Sequence, residues 1–361
     1  MGNFWKGISD DSLTQAEVSL LTRAGLKPEE YKMHNIIVDD LNQEHYLHCV
    51  EIPNPSKPKM VLVHGYGAGG GVFFRVVRDL SQYFHLYVVD LLGMGASGRP
   101  AFEAETPELA EDFFVSSLKI WKERAGINEK FYLAGHSLGG YVSTVYALRY
   151  PEDLLQLVLL SPVGIPEKPD TFTHDEVAQR FDSFKGRLGA RVVLKLWEMK
   201  FTPFGPLRYA GSYGTKAFLK FYVGRRMKSI THEEELEEIK NYLHQIFLRP
   251  ASGEFALSTI LSPGSWAKNP LINRMPALEV PVSFYYGEKD WMDPVPAMFL
   301  IDQNQLRVNA KIYFIDGSDH HLYLDNPVDM IFKMLLHIFG TDTADEYRKS
   351  KINHGDAAIV D

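Results

Sequence analysis

Cysteine is almost absent from this chain, since Cys49 is the only one in 361 residues. An intrachain disulfide and a thiolate metal cluster are therefore excluded, and a reducing compartment is favoured. The first 21 residues also lack the apolar run of a signal peptide or of a spanning helix, because Lys6, Asp10 and Glu17 interrupt them. We expect an intracellular protein whose fold depends on packing and that has no segment crossing a bilayer.

Internal repeats and low-complexity tracts are also missing. Short apolar runs instead alternate with helix-like stretches. Antiparallel-looking strands (NIIVDD, YLHCVE) come first, and β-α units built on KMVLVHG, LYVVD, FYLAGHS and LLQLVLLSP follow. This order predicts an α/β fold, with a mostly parallel sheet that carries helices on both faces.

The β-α alternation stops after VGIPEKP and resumes about a hundred residues later at VPVSFYYGEKD. We interpret the interruption as a cap inserted between two strands of one core. The expected boundaries are a core at 1–164 and 278–340, a helical cap at 165–277 and a polar, loosely held C-terminal tail at 341–361.

One motif carries chemistry by itself. Gly135-His136-Ser137-Leu138-Gly139 fits G-x-S-x-G and lies between a strand and a helix, as a nucleophile elbow requires. A tight turn holds the serine hydroxyl out of the sheet, and the flanking glycines avoid collisions that a Cβ would cause. We predict Ser137 as the nucleophile.

A serine hydroxyl needs a base and an orienting acid, which follow the serine in this architecture. His320 and His321 are the histidines that lie in a loop directly after a C-terminal strand, KIYFIDGS. Asp290 closes the turn after VSFYYG and is the preferred acid. Asp293 is the reserve acid, which could instead cap the following helix.

An oxyanion needs preorganised N–H donors. The first helical residue after the elbow, Leu138, provides one, and the glycine-rich loop HGYGAGGG provides the other, for which we choose Tyr66. His64 is expected to fix this loop. A phosphate-binding reading of the glycines is disfavoured, because the loop lacks the Lys-Ser/Thr of a P-loop and a convincing ribose-binding acid.

The motifs HGYGAGGG, DLLGMGASGRP, AGHSLGG, YGEKDWMD and HHLYLDNP, in this order, resemble the α/β-hydrolase fold family. The chain is more narrowly similar to the subfamily of the N-acyl-phosphatidylethanolamine lipase, the lipid-droplet lipase coactivator and the yeast cardiolipin-specific deacylase. The resemblance implies eight strands, a helical cap and glycerophospholipid substrates. The spacing of His320 to LYLDNP favours it as the base, with His321 in reserve. The coactivator branch has asparagine at the elbow, so Ser137 favours the enzymes.

This subfamily is associated with an H-x-x-x-x-D acyltransferase motif, which His320 and Asp325 satisfy. The same spacing recurs at His34 and at His85, so the pattern alone decides nothing. We expect Asp325 to be a helix-entry residue. A lysophospholipid acyltransferase and a non-catalytic lipase-recruiting coactivator remain the alternatives to a hydrolase.

The net charge of −8 is unevenly distributed: residues 185–228 carry +10 and the rest of the chain −18. Nine aromatic residues, counting Phe184 directly before the stretch, interleave with these charges. Such a segment favours peripheral docking on an anionic membrane, although a solvated helical face over an ordinary aromatic core would explain it too. The predicted docking residues are Lys185, Arg187, Arg191, Lys195, Lys200, Arg208, Lys216, Lys220, Arg225, Arg226 and Lys228.

These observations together predict a serine hydrolase that deacylates phospholipids or related acyl lipids at a cytoplasmic, lipid-droplet or mitochondrial membrane face. We expect no metal and no organic cofactor. No recognition module accompanies the basic segment, so nucleic acid is not an expected partner.

Overall fold

The computed structural model describes residues 8–170, 172–173 and 183–353. An eight-stranded sheet with the order β1-β2-β4-β3-β5-β6-β9-β10 forms its centre. The two pairs made by β2, with β1 and with β4, are antiparallel, and every other pair is parallel. The strands are β1 Lys32–Ile37, β2 Tyr46–Ile52, β3 Lys59–Val63, β4 His85–Val89, β5 Phe131–His136, β6 Leu154–Leu160, β9 Val282–Gly287 and β10 Ala310–Ile315.

The central strands are apolar throughout because both of their faces are covered by helices. All five residues of β4 are buried, as are all six of β9. Two hydrophobic clusters result, one on each side of the sheet. The predicted α/β architecture with eight mostly parallel strands is confirmed. The helices of the core are α1 Asp10–Arg23, α2 Phe74–Leu80, α3 Pro107–Arg124, α4 Leu138–Arg149, α9 Val295–Asp302, α10 Leu322–Asp325 and α11 Pro327–Phe339.

Between β6 and β9 the chain leaves the sheet and is mainly helical. Its described helices are α5 Phe184–Glu198, α6 Phe204–Arg226, α7 Glu233–Phe247 and α8 Ala256–Ile260, and they precede a short hairpin of β7 Leu261–Ser262 and β8 Trp266–Ala267. Helix α6 is interrupted at Gly211, whose φ of 65° is not helical. Residues 171 and 174–182 of the expected cap lie outside the described residues.

The segment after Gly340 differs from the expected loose tail over its described part. Residues Thr341–Asn353 form a helix, α12. Ala344 and Tyr347 are buried, and Lys351 forms an ion pair with Asp79 at 2.7 Å. Two apolar anchors in a polar segment are too few to give a helical periodicity in the sequence, yet they hold the helix on the core. Residues 354–361 lie outside the described part.

No helix in the described part of the chain combines the length and the apolar character that spanning a bilayer requires.

Candidate active site

Ser137 lies between β5 and α4 in a backbone conformation that side chains rarely adopt. Its φ is 53° and its ψ is −115°. Strain of this kind is kept only where the surroundings enforce it, and such residues concentrate at functional sites. The amide of Ser137 donates to the Leu160 carbonyl at 3.0 Å, and its carbonyl accepts from Val163 at 3.2 Å. The neighbouring strand therefore fixes the turn on both sides of the hydroxyl.

The two glycines of the motif permit the close approach of backbone segments. A Cβ on Gly135 would lie 2.3 Å from the Gly139 carbonyl oxygen, and a Cβ on Gly139 would lie 2.5 Å from the His64 carbonyl oxygen. Neither contact is possible for a carbon atom. The serine-bearing turn therefore requires glycine at both positions, which is the physical reason for the G-x-S-x-G spacing.

His320 lies in the loop between β10 and α10 and contacts Asp290. Its Nδ1 is 3.1 Å from Asp290 Oδ1, so the ring donates its Nδ1 hydrogen to the carboxylate and leaves Nε2 free to accept a proton. The same carboxylate oxygen accepts the Met292 amide at 3.0 Å. Burial raises the pKa of Asp290, but the hydrogen bond and charge of His320 outweigh it and hold the pKa below its ordinary value. Asp290 is therefore an anion that orients His320.

The two reserve residues make different contacts. Asp293 is exposed, and its Oδ1 accepts the Val295 amide at 3.0 Å at the start of α9. Its carboxylate therefore acts as a helix cap. His321 is buried, and its Nδ1 has no hydrogen-bond partner among the described residues. Burial, with the adjacent His320 as a smaller cause, lowers the pKa of His321 to about 3. His321 is thus a neutral ring packed beside the candidate base.

A cavity of about 270 Å³ opens at this edge of the sheet. Ser137 and His320 both line it, together with the expected oxyanion donors Tyr66 and Leu138. Leu138 is the first residue of α4, where a backbone N–H has no acceptor within the helix. The Gly65 backbone lies against Ser137, since a Cβ on Gly65 would be 3.1 Å from the serine Cβ. The loop that carries Tyr66 therefore reaches the hydroxyl.

His64 fixes this loop. Its Nδ1 donates to the Gly65 carbonyl at 2.7 Å, and its Nε2 accepts the Leu91 amide at 3.0 Å. Burial lowers the pKa of His64, which suits a neutral ring that makes one donor and one acceptor bond. The histidine has no nitrogen left for a reaction.

His136 is a member of the site that the sequence reasoning missed. Its ring is buried, and its Nε2 donates to the His320 carbonyl at 3.0 Å. Burial lowers the pKa of His136 well below its ordinary value, so the ring is neutral. The hydrogen bond ties the serine-bearing turn to the histidine-bearing loop across 184 residues. Its only signal in the sequence was its place inside the G-x-S-x-G motif, and the motif accepts any residue at that position.

The acid of the H-x-x-x-x-D spacing does not reach a ring nitrogen of His320 within hydrogen-bonding distance. Asp325 Oδ2 accepts the Asp319 amide at 3.0 Å, and burial raises the pKa of this carboxyl. The carboxyl holds the loop that leads to His320. Asp325 is the last residue of α10, and the residue that caps α11 is its neighbour Asn326.

The predicted docking residues whose side chains are described fall into three groups. Eight of them are exposed: Arg187, Arg191, Lys195, Lys200, Lys216, Lys220, Arg225 and Lys228. Arg208 is a correction, because its guanidinium is bound to the buried Glu254 and its side chain is only 14% exposed. Arg226 lines the cavity. The side chain of Lys185 lies outside the described part.

Metal ligation finds no support among the described residues, where no group of three His, Cys, Asp or Glu side chains is arranged to hold an ion. The polar side chains that line the cavity include Ser137 and three histidines, a set suited to acyl transfer.

Comparisons with known proteins identify the family and the fold. A family model described as alpha/beta hydrolase fold matches residues 58–327. A probable 1-acylglycerol-3-phosphate O-acyltransferase of Oryza sativa subsp. japonica is 32% identical, over 75% of this chain and 65% of its own length. The (lyso)-N-acylphosphatidylethanolamine lipase of Homo sapiens is 30% identical, over 75% of this chain and 76% of its own. The match therefore spans slightly less than two thirds of the rice protein.

Among solved structures, the carboxylesterase CesB of Bacillus subtilis superimposes with a TM-score of 0.61. It is 17% identical in sequence, and the superposition covers 92% of this chain and 99% of that one. This likeness concerns the fold alone.

Proposed function

Because this chain belongs to the alpha/beta hydrolase fold family, we propose that it is a serine hydrolase that removes acyl chains from phospholipids or related acyl lipids at a membrane surface. One observation carries the proposal. A serine in a strained turn lines the same cavity as a histidine whose far nitrogen is bonded to a buried carboxylate. The lipid-acting relatives support the choice of substrate class.

The reaction proceeds through an acyl-enzyme. Ser137 Oγ attacks the ester carbonyl while His320 Nε2 takes its proton, and the oxyanion accepts hydrogen bonds from the Tyr66 and Leu138 amides. His320 returns the proton to the leaving alcohol as the ester bond breaks. Asp290 stabilises the imidazolium formed in between. Water, deprotonated by the same imidazole, then attacks the acyl-serine and releases the fatty acid.

The apolar part of the cavity supports an acyl substrate. Its wall includes Val163, Trp197, Met227, Leu243, Leu257 and Leu261, contributed by the segment after β6, the helices α5, α7 and α8, the residue after α6 and the β7 strand. An acyl chain that leaves water for such a wall gains about 0.8 kcal/mol per buried CH₂. The cap therefore supplies the binding surface and the sheet edge supplies the chemistry.

Docking on an anionic membrane is the second part of the proposal. Beside the eight exposed cations, the cap exposes large apolar side chains that no core covers: Leu188, Val192, Met199, Phe201, Tyr209, Tyr213 and Phe221. Tyr209 and Tyr213 are 92% and 89% exposed and flank the interruption of α6 at Gly211. Aromatic and basic side chains side by side suit the boundary between headgroups and acyl chains.

Labelling with a fluorophosphonate probe tests the hydrolase. The folded protein should form an adduct that heating abolishes, and Ser137→Ala should form none. Equal labelling of the variant would contradict the assignment of Ser137. Loss of labelling in the wild-type protein would favour a non-catalytic, lipase-recruiting role.

An acyltransferase is the second candidate, because the name of the rice relative states that activity. The same acyl-serine would then pass its acyl chain to the hydroxyl of a lysolipid instead of to water. Product analysis with and without a lysophosphatidic acid acceptor separates the two. We expect free fatty acid in both reactions. A diacyl product that replaces the fatty acid when the acceptor is present would favour the transferase.

Vesicle sedimentation tests the docking. Binding should rise with the fraction of phosphatidylserine and fall as salt is added, because the attraction of exposed charges is screened. Binding that is indifferent to both would contradict the proposal. The membranes that the family resemblance indicates are those of lipid droplets and mitochondria.

A further inference from the structure

The cavity beside Ser137 has an unusual charge inventory. No aspartate or glutamate lines it, and Arg226 is the only arginine or lysine among its described lining residues. The rest of the wall is apolar, aromatic or neutral polar, apart from the three histidines. Among the described residues, a substrate in this cavity therefore meets one permanent charge, which is positive.

Arg226 stands close to the candidate base. Its guanidinium lies over the ring of Trp291 at 5.5 Å, and the Trp291 ring lies 5.1 Å from the ring of His320. Arg226 and His321 line the same cavity. The imidazole of His320, the indole of Trp291 and the guanidinium of Arg226 therefore lie next to one another in a row. A guanidinium stacked on an aromatic face keeps the N–H groups on its edge available.

Arg226 differs from the other partly buried arginines of the cap interface. Arg208 is paired with Glu254, and Arg75 with Glu235. Within the described residues no carboxylate lies at ion-pairing distance from Arg226. Arg226 is partly exposed, so its guanidinium is accessible to an anion, with which it can form charge-assisted hydrogen bonds. The guanidinium of Arg226 is therefore available to bind a negatively charged ligand.

We infer that Arg226 binds the phosphate of a phospholipid substrate and so determines a preference for phosphate-bearing over neutral acylglycerols. This inference rests on the proposed function, since it concerns the same cavity. In a glycerophospholipid the phosphate is only a few bonds from the ester, and an arginine edge matches its oxygens with two parallel hydrogen bonds. The acyl chain would lie along the apolar wall and the phosphate at Arg226.

A pair of matched soluble substrates tests this role. Hexanoyl-glycerol 3-phosphate and hexanoyl-glycerol differ only in the phosphate, and below their micellar concentrations membrane docking does not contribute. The variants are Arg226→Gln, Arg226→Lys and, as the matched control, Arg307→Gln. Arg307 is exposed in the loop before β10, at the opposite end of the strands from the cavity.

The quantity measured is the ratio of kcat/KM for the phosphate-bearing substrate to that for the neutral one. We expect this ratio to fall roughly 10- to 100-fold in Arg226→Gln, as for the loss of a charge-assisted hydrogen bond. It should fall less in Arg226→Lys and stay unchanged in Arg307→Gln. Arg226→Lys keeps the charge, so it serves even where the Gln variant fails to fold.

Three results would overturn the inference. Both substrates losing activity equally in Arg226→Gln would indicate a general structural role, and an unchanged ratio would exclude contact with phosphate. Strong inhibition of neutral-ester hydrolysis by inorganic phosphate in the wild type, with an unchanged substrate ratio in Arg226→Gln, would indicate a free-anion site instead. Failure of the proposed function has its own signature: Ser137→Ala would hydrolyse both substrates like the wild type.

Discussion

At the strand ends of the core, the histidines and the aspartate of the site are buried and hydrogen-bonded, whereas in the cap eight basic and four aromatic side chains of the basic segment are exposed. Asp290, His320 and His136 each have defined hydrogen-bond partners. The side chains of Asp290 and His320 are 1% and 9% exposed, and His136 is 3% exposed as a whole residue. Tyr209 and Tyr213 in the cap are almost fully exposed. The core therefore holds the side chains of the candidate site in a fixed geometry, whereas the cap exposes basic and aromatic side chains on its surface.

The two regions meet at a few specific contacts. Tyr66, on the candidate oxyanion loop, stacks on Phe204 of the cap with ring centroids 5.4 Å apart. Gly67 has a φ of 66°, and a Cβ there would lie 2.5 Å from the Phe204 ring. The amide of Gly71 donates to the hydroxyl of Tyr242 at 3.0 Å. The cap therefore packs on the loop whose backbone is expected to hold the oxyanion.

The largest expected effect separates the two candidate acids of the core. Asp290→Asn should lower kcat for a soluble ester by about 10³- to 10⁴-fold, because the amide no longer stabilises the imidazolium or fixes its tautomer. Asp293→Asn should change kcat less than about threefold, since its oxygen caps a helix. Steady-state kinetics on both variants checks this, and a larger loss in the Asp293 variant would reverse the assignment.

The second largest expected effect concerns Arg208, the buried cation of the cap. Arg208→Gln should lower the free energy of unfolding by about 3 kcal/mol, because it leaves the carboxylate of Glu254 buried without its charge partner. Lys220→Gln, at an exposed cap position, should change it by less than about 0.5 kcal/mol. Urea unfolding of both variants measures the difference. Equal stabilities would mean that Arg208 belongs with the surface cations.

A smaller effect concerns the pH dependence of stability. The pKa of His321 is about 3 in the folded protein and about 6.5 when unfolded, so protonation favours the unfolded chain. The stability from the neutral ring is complete above pH 6.5 and is lost as the pH falls towards 3, by up to about 1.4 kcal/mol per unit. His321→Asn should unfold with a shallower pH dependence between pH 7 and 5. Denaturant titrations at each pH test this, and an unchanged slope would contradict it.

The smallest effect lies on the cap surface. Tyr209→Ser with Tyr213→Ser should weaken binding to phosphatidylserine vesicles several-fold, because two aromatic side chains are lost from the proposed contact. The hydrolysis of a soluble ester and the thermal midpoint should both stay within error. Sedimentation and calorimetry on the double variant separate the two regions. Weaker hydrolysis of the soluble ester would mean that these tyrosines serve the cavity.

How much of the structure can be predicted from the sequence also differs between the core and the cap. Ser137 and its glycines are recognisable within five residues, because the motif G-x-S-x-G is contiguous in the chain, although the contact that demands Gly139 is with the distant His64 carbonyl. The fold class follows from the alternation of strands and helices. The pairing of Arg208 with Glu254 joins residues 46 positions apart, and no local pattern encodes it.

Arg226 illustrates the same limit. In sequence it is one of eleven cations, next to the exposed Arg225. At the end of α6, it is the side chain of Arg226 that lies over Trp291, and the sequence does not show this. The C-terminal helix was missed for a related reason, since two buried residues among polar ones do not produce a periodic signal.

The central claim is that the hydroxyl of Ser137 becomes covalently acylated during turnover. Rapid acid quenching of the protein with a slowly hydrolysed ester, followed by peptide mass spectrometry, tests it directly. We predict an acyl mass on the peptide that contains Ser137, and its absence in Ser137→Ala. An ester that is hydrolysed at the wild-type rate with the acyl group on another residue, or with the Ser137→Ala variant fully active, would contradict the account.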